Sequence, residues 1–280
     1  MQTHGKGKLY VVGTPIGNLD DFSPRAIAVL REVSLILCED TRHTRKLLTH
    51  FAIDTVTESF HEHNEDAKAE RLLERVENGE SLALVSDAGM PLVSDPGYAI
   101  VRMARQRGIT VEPVPGPFAG ILALVASGIA PLPFMFFGFA PHRHSERLDF
   151  YREVADRRVT SIIYESPERI VDSLRDALDT LGDVECTVAR EMTKLHEEFI
   201  HGSVSEIIES MAARDSIRGE ITIVFAAATQ AKIVTAPEVI AAEFERLRAS
   251  GMRRNDAIKA VAEKFGLRKN EVYQMLVSGA

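Results

Sequence analysis

The chain of 280 residues has no tryptophan, only two cysteines, and a formal net charge of -8. Two cysteines cannot form a disulfide framework. Cys38 and Cys186 each end an apolar run and read as buried, reduced thiols. The negative balance excludes a uniformly basic nucleic-acid binder. Neither a Gly-x-Gly-x-x-Gly fingerprint nor a P-loop with Gly-Lys-Ser/Thr occurs, and no signature of a Ser-His-Asp triad is seen. Asp87 and Asp95 have no His or Cys nearby at ligand spacing, so no metal is expected. The polar start, Met1–Lys8, precedes an apolar run too short for a secretory signal. Residues 114–141 carry no charge, but Pro115, Pro117, Pro131 and Pro133, with Ser127-Gly128, break them into pieces too short to span a membrane. The expectation is a soluble, cytoplasmic protein without a membrane segment.

What is present is a chain with 45% apolar residues, enough to pack about two domains. Its most informative stretch is Val85-Ser-Asp-Ala-Gly89 followed by Val93-Ser-Asp-Pro-Gly97, one phrase written twice. It follows the apolar run Ser81–Val85 and precedes helical spacing from Tyr98. A turn-rich loop at the carboxyl end of a strand, leading into a helix, is where open α/β sheets bind ligands. Gly13-Thr-Pro-Ile-Gly17 follows the strand at Leu9–Val12, and Pro115-Gly-Pro117 follows the strand at Val111–Val114. Three Gly/Pro loops after three strands of one sheet favour a small-molecule site. Turn formation explains Asp87 and Asp95 about as well as ligand contact does.

Strands alternating with helices up to Ala126 predict a parallel sheet. Pro131-Leu-Pro133 reads as a hinge. Beyond it, strands at Phe134–Phe139, Thr160–Tyr164, Glu185–Ala189 and Glu220–Ala226 alternate with helices, with Glu198–His201 as a hairpin partner and a helix starting at Ser166-Pro167-Glu168. After Ala231 the pattern is helical throughout: Pro237–Ala249, Asn255–Phe265 and Lys269–Val277, with Gly266 as a tight turn, as in a helix-turn-helix module. Residues 231–280 carry nine Lys/Arg against six Asp/Glu, while residues 1–230 carry 24 against 35. A small basic tail on an acidic body suggests an appended binding module. The fold class is therefore α/β, with expected domains at 1–130, 131–230 and 231–280.

Several charged groups have two readings. Ala189-Arg190-Glu191-Met192-Thr193-Lys194 follows a strand and is either a solvated charged turn or a site where Arg190 or Lys194 meets an anionic substrate. His61 and His63 form a metal pair or a substrate-facing turn. In the tail, Arg253, Arg254, Lys259, Lys264, Arg268 and Lys269 suit phosphate contacts, or packing in a dimerisation module.

Nine short motifs then fall in one order: Gly13-Thr-Pro-Ile-Gly-Asn-Leu19, Glu39-Asp-Thr-Arg42, His61-Glu-His-Asn-Glu65, Ser86-Asp-Ala-Gly-Met-Pro91, Ser94-Asp-Pro-Gly97, Val114-Pro-Gly-Pro117, Gly138-Phe-Ala-Pro141, Ala189-Arg-Glu191 with Thr193-Lys194, and Gly219-Glu-Ile-Thr222. The set resembles the tetrapyrrole methylase superfamily, and within it the branch that methylates a cytidine 2'-hydroxyl in 16S ribosomal RNA. The motifs span residues 8–226, and the helical tail also fits. The resemblance implies two α/β methylase domains with S-adenosyl-L-methionine between them, no metal, a homodimer, and 16S rRNA or the small ribosomal subunit as partner. It places the cofactor against Thr14, Pro15, Asp87, Ala88, Gly89, Ser94, Pro115 and Gly116, with Tyr164, Ala189, Arg190, Glu220, Ile221 and Thr222 from the second half. Phe118 departs from the pattern, which often has a small residue there, so no cofactor contact is assigned to its side chain. The acceptor RNA is expected near Arg42, His61, His63 and Asn64, and along Arg253, Arg254, Arg268 and Lys269. A ribose hydroxyl is a weak nucleophile, so a base is sought among Asp40, Glu191, Lys194 and His61. Two alternatives stay open: the same fold acting on a tetrapyrrole or diphthamide precursor, or a ligand-sensing regulator with a DNA-binding tail.

Overall fold

A computed structural model describes residues 7–61, 65–228, 237–265 and 269–278. The first sheet holds β1 (Lys8–Val12), β2 (Leu35–Cys38), β3 (Thr57–Ser59), β4 (Leu82–Val85) and β5 (Thr110–Val114). All pairs are parallel, in the order β3-β2-β4-β1-β5. Its connections carry α1 (Pro24–Glu32), α2 (Thr41–His50), α3 (Glu65–Glu77) and α4 (Tyr98–Gln106). Every residue of β2 and β4 is buried, which is why both read as unbroken apolar runs. Alternate side chains feed two cores: Leu35, Leu37, Leu82 and Leu84 meet α3 and α4 on one face, while Ile36, Cys38, Ala83 and Val85 meet α1 and α2 on the other. Ser23 caps α1 by accepting from Ala26 N at 3.1 Å, with Pro24 at the first helical position.

After α5 (Ala119–Ala126) comes a second sheet of β6 (Phe134–Phe139), β7 (Thr160–Glu165), β8 (Glu185–Arg190), β9 (Glu198–Ser203) and β10 (Ile221–Phe225), ordered β6-β7-β10-β8-β9. Only the β6–β7 pair is parallel. One face packs on α6 (His144–Arg157), α7 (Ile170–Leu181) and α8 (Val204–Ala212) through Tyr151, Leu174, Ile207, Ile223 and Phe225. The other face receives α5: Ala123 and Leu124 share a cluster with Ile162, Ala189 and Val224. Ile16, from the loop after β1, joins that cluster with Met192. So α5 precedes the Pro131–Pro133 link in sequence yet packs on the second sheet.

The helix expected from Ser166 starts instead at Ile170. Glu165 accepts from Ser166 N at 2.7 Å and pairs with Arg169, holding a turn first. The hairpin expected at Glu198–His201 forms between β8 and β9 and runs on to Ser203. In the tail, α9 (Pro237–Ala249), α10 (Arg254–Phe265) and α11 (Lys269–Ser278) share a core of Ile240, Phe244, Ile258, Val261 and Val272. The Gly266 turn lies outside the described residues. No described helix is long and apolar enough to cross a membrane.

One buried ion pair ties α6 to α7. Arg147 Nε donates to Asp176 Oδ2 at 2.6 Å, with both side chains 6% exposed. Asp176→Ala strands that guanidinium in the core. Urea unfolding should show a loss of about 3–5 kcal/mol, the range for breaking one side of a buried pair.

Candidate active site between the two sheets

The loops after β1, β4 and β5 converge at the carboxyl ends of their strands, where an open parallel sheet holds its ligand. Thr14 and Gly89 exchange two backbone hydrogen bonds, Thr14 N to Gly89 O at 2.9 Å and Gly89 N to Thr14 O at 3.1 Å. The Thr14 hydroxyl donates to Ser86 O at 3.1 Å, and Ser86 Oγ donates to Gly89 O at 2.9 Å. Gly13 N donates to Val114 O at 3.1 Å. A Cβ on Gly13 would stand 2.6 Å from Gly116 Cα and 2.7 Å from Met90 Sδ, so only glycine permits this approach. The focal loop continues through Leu92 (φ 72°) and Ser94 (φ 68°) in the left-handed region. Backbone strain of this kind gathers at functional sites. The loop ends at Gly97, whose N–H donates to Glu65 Oε2 at 2.8 Å.

The second sheet closes over these loops. A Cβ at Gly138 would touch Ser94 Oγ at 3.3 Å, and one at Gly17 would lie 2.5 Å from Lys194 Cγ. Between the sheets lies a cleft of about 380 Å³, walled by Asp87, Ser94 and Asp95 on one side and by Tyr164, Ser166 and Thr222 on the other. Phe118, Phe139 and Tyr164 add aromatic rings to its lining. Phe118 packs edge-on to Phe136 at 5.1 Å, which meets Tyr164 at 4.9 Å; Phe139 meets Tyr164 at 5.3 Å. Ser166 Oγ and Glu165 Oε2 are buried with no hydrogen-bond partner among the described residues. Such groups in a cleft wall are suited to a polar ligand. A second cavity of about 350 Å³ adjoins the first across Asp87 and is edged by His43, Lys46 and His50 of α2.

Charge is distributed unevenly. Burial pushes the Asp95 carboxyl up to about 7, and the carboxylates of Glu39 and Asp87 add to the effect. Burial also raises the Tyr164 phenol to about 12. Three of the four candidate bases, Asp40, Glu191 and Lys194, sit in ion pairs that shift them. Arg42 holds the Asp40 carboxyl below its usual range. Lys194 does the same to Glu191, whose Oε1 accepts from Lys194 Nζ at 2.8 Å and from Glu220 N at 2.9 Å. Burial opposes the charge of Lys194, but Glu191 and Glu220 outweigh it and raise its pKa. None of the three sits near neutrality as a ready proton acceptor.

Of the cofactor residues expected from sequence, Asp87, Ala88, Gly89, Ser94, Tyr164, Glu220, Ile221 and Thr222 line the cleft. Thr14 lies buried beneath it, fastened to the focal loop. Pro15 faces the second cavity instead. Gly116 abuts Gly13, with Pro115 exposed beside it. Ala189 is buried in the α5 cluster. Arg190 is spent on Glu198, at 3.1 Å, and on Arg218 O. Asp40 caps α2 and pairs with exposed Arg42 at 3.2 Å. His61 follows β3 and its carbonyl accepts from Glu65 N at 3.0 Å. Arg253, Arg254 and Lys269 are exposed on the tail, away from the cleft lining, and Arg254 lies over the Tyr273 ring at 6.0 Å. His63, Asn64 and Arg268 lie outside the described residues. No cluster of three or more His, Cys, Asp or Glu that could hold a metal occurs among the described residues.

Sequence reasoning passed over Phe118, Phe139, Glu165 and Ser166, which also line the cleft. Phe118 follows the Pro115-Gly-Pro117 signal directly, yet its bulk argued against a contact. Phe139 had no signal at all, because it reaches the cleft through a register shift in β6 at Gly138 (φ 72°).

This architecture, two five-stranded sheets with a loop-walled cleft between them, is that of a methylase fold. The chain belongs to the tetrapyrrole (corrin/porphyrin) methylase family, whose model matches residues 8–208. Among its relatives are proteins named ribosomal RNA small subunit methyltransferase I. That of Streptococcus pyogenes serotype M3 is 42% identical over 96% of this chain and 94% of its own. That of Bacillus subtilis is 40% identical over 98% and 96%, and that of Xylella fastidiosa 43% over 95% and 98%. Solved structures share the fold at lower identity. A diphthine synthase matches at 14% with TM-score 0.61, covering 78% of this chain and 89% of that one. A uroporphyrin-III-C-methyltransferase from Thermus thermophilus matches at 18% with TM-score 0.56, covering 79% and 94%.

Gly13→Ala tests the loop convergence. The added methyl must push against the Gly116 backbone, and overpacking of this kind costs about 1–3 kcal/mol. The urea midpoint should fall with an unchanged m-value.

Proposed function

We propose that the protein transfers a methyl group from S-adenosylmethionine to the 2'-hydroxyl of a cytidine in 16S rRNA of the small ribosomal subunit. The observation that carries this reading is the near full-length likeness, at 40–43% identity, to proteins whose names give them that class of RNA. The cleft fits the donor. Asp87 and Asp95 put negative charge where a cation must sit, Phe118 and Tyr164 offer ring faces, and Ser166 Oγ and Glu165 Oε2 lack partners among the described residues. The bound donor supplies an electrophilic methyl carbon on a positively charged sulfur.

The rest is the work of the chain. In this reading the cofactor is held by Thr14, Pro15, Asp87–Gly89, Ser94 and Pro115-Gly116 on the loops of the first sheet, and by Tyr164, Ala189-Arg190 and Glu220–Thr222 at the strand ends of the second. Their part is alignment, which can contribute about 7–11 kcal/mol when nucleophile and electrophile are held in line. Asp40, Glu191 and Lys194, all in ion pairs, serve best as fixed charges that orient the acceptor. In this reading Arg42, His61, His63 and Asn64 contact the acceptor RNA, while Arg253, Arg254, Arg268 and Lys269 give salt-dependent phosphate contacts. We divide the chain accordingly at 1–130, 131–230 and 231–280. A homodimer is part of the reading. Phe134 and Met135 on β6, the free edge strand of the second sheet, and Leu132 just before it are exposed and suit burial against a second copy. An enzyme acting on ribosomal RNA works in the cytoplasm.

Methylation of a tetrapyrrole or diphthamide precursor would use the same cleft, but the structures with those names share only the fold at 14–18% identity. A DNA-binding regulator would need the tail alone. Incubation with labelled S-adenosylmethionine and unmethylated small subunits should label a cytidine ribose of 16S rRNA; label on no RNA overturns the proposal. Replacing both Arg253 and Arg254 by alanine should raise KM for the subunit and lower the salt slope by about 1–2, with the affinity for S-adenosylhomocysteine unchanged.

A further inference from the structure

The second cavity lies outside the donor cleft and has walls of a different kind. It is enclosed by the loop after β1 and by α2, measures about 350 Å³, and meets the cleft at Asp87. One face of α2 forms its wall, with His43, Lys46, Leu47 and His50 recurring at helical spacing. Other cations of α2 are already engaged. Arg42 is held by Asp40 at 3.2 Å, and Arg45 donates to Thr57 Oγ1 at 3.0 Å. Exposed His43 and Lys46, at the cavity edge, make no hydrogen bond or ion pair with a described residue. His50 has a ring contact with Phe51 at 4.8 Å and no hydrogen bond to a described residue. Thr44 also lines the cavity and is 3% exposed, and its Oγ1 has no nitrogen or oxygen partner among the described residues. A buried hydroxyl left in that state beside a cavity is suited to a polar ligand. Leu19 and Leu47 give the same space an apolar wall.

We propose that this second cavity is the acceptor subsite, taking one unpaired RNA nucleotide with its phosphates on Lys46 and His43 and its base against Leu19 and Leu47. This rests on the functional reading above. A nucleotide combines a flat, weakly polar base face, a hydrogen-bonding base edge and anionic phosphates. The cavity offers leucine side chains, the Thr44 hydroxyl and an unpaired ammonium, one for each. Its volume lies at the lower end of the range for ligand pockets, about 300–1,000 Å³. That leaves room for a single nucleotide and none for a duplex, so the target must leave its stack to enter. The junction at Asp87 brings the sugar of such a nucleotide up to the donor cleft, with base and phosphates on the α2 side.

Two kinds of measurement test the assignment. With saturating donor, Lys46→Ala should raise KM for the small subunit about tenfold and lower the salt slope by about 1. Lys46→Arg keeps the charge and should recover most of that loss. Leu19→Trp fills the cavity and should lower kcat/KM by about tenfold or more. Calorimetry should find S-adenosylhomocysteine bound by all three variants as by the parent. Unchanged kinetics in Lys46→Ala and Leu19→Trp overturns the assignment, and so does a shared loss of S-adenosylhomocysteine affinity, which would make the cavity part of the donor site. The second measurement needs no turnover. A cytidine-centred RNA trinucleotide, added at millimolar concentration to the protein saturated with S-adenosylhomocysteine, should shift the ring-proton resonances of His43 and His50. The same addition to Leu19→Trp should leave them in place. No shift in the parent, or a shift that inorganic phosphate reproduces in full, overturns the proposal. If the parent labels no RNA and the trinucleotide still moves both rings, the functional reading falls and the nucleotide site stands.

Discussion

The reciprocal pair of hydrogen bonds between Thr14 and Gly89 sets the geometry on which the rest of the cleft depends. It joins two loops that leave adjacent strands, and a side-chain hydroxyl from each loop reinforces it. Gly13 and Gly116 bring the third loop to backbone contact. Backbone groups satisfied within the loops leave side chains free to face the cleft. Rigid support beneath and a strained, exposed edge above is a common division in ligand sites.

Much of the first half was readable because its physics is local. Leu35-Ile-Leu-Cys38 and Leu82-Ala-Leu-Val85 are buried on both faces, so they stand out as apolar runs. Ser23-Pro24 carries its own helix start, and the Gly/Pro loops mark strand ends. Eight of the fourteen expected cofactor positions line one cleft. What escaped depends on contacts far apart in sequence. Ser166-Pro167 has the local signature of a helix start, but the Glu165–Arg169 pair claims those residues for a turn. Helix α5 is apolar on all sides, and nothing in that pattern says which sheet it joins. Phe139 is a strand residue whose direction is set by a register shift, invisible to alternation.

The ionisable groups divide by partnership. Where a carboxylate meets a guanidinium or ammonium, as at Asp40, Glu191 and Glu198, its charge is fixed and its task is orientation. Where carboxylates meet only one another in a sheltered place, as around Asp95, the charge becomes adjustable. Residue type alone could not separate these cases, since all are acidic residues on loops or at strand ends. Their neighbours decide, and those neighbours come from other loops.

The lodging of α5 has a consequence for how the two halves relate. Its Ala123 and Leu124, with Ile16 from the far loop, are seated on Ile162, Ala189 and Val224 of the other sheet. Severing the chain at the proline-rich link would strip an oily surface bare on both fragments. Neither piece would be a self-sufficient protein, and any gene fission at that point would have to be rescued by tight reassociation of its products.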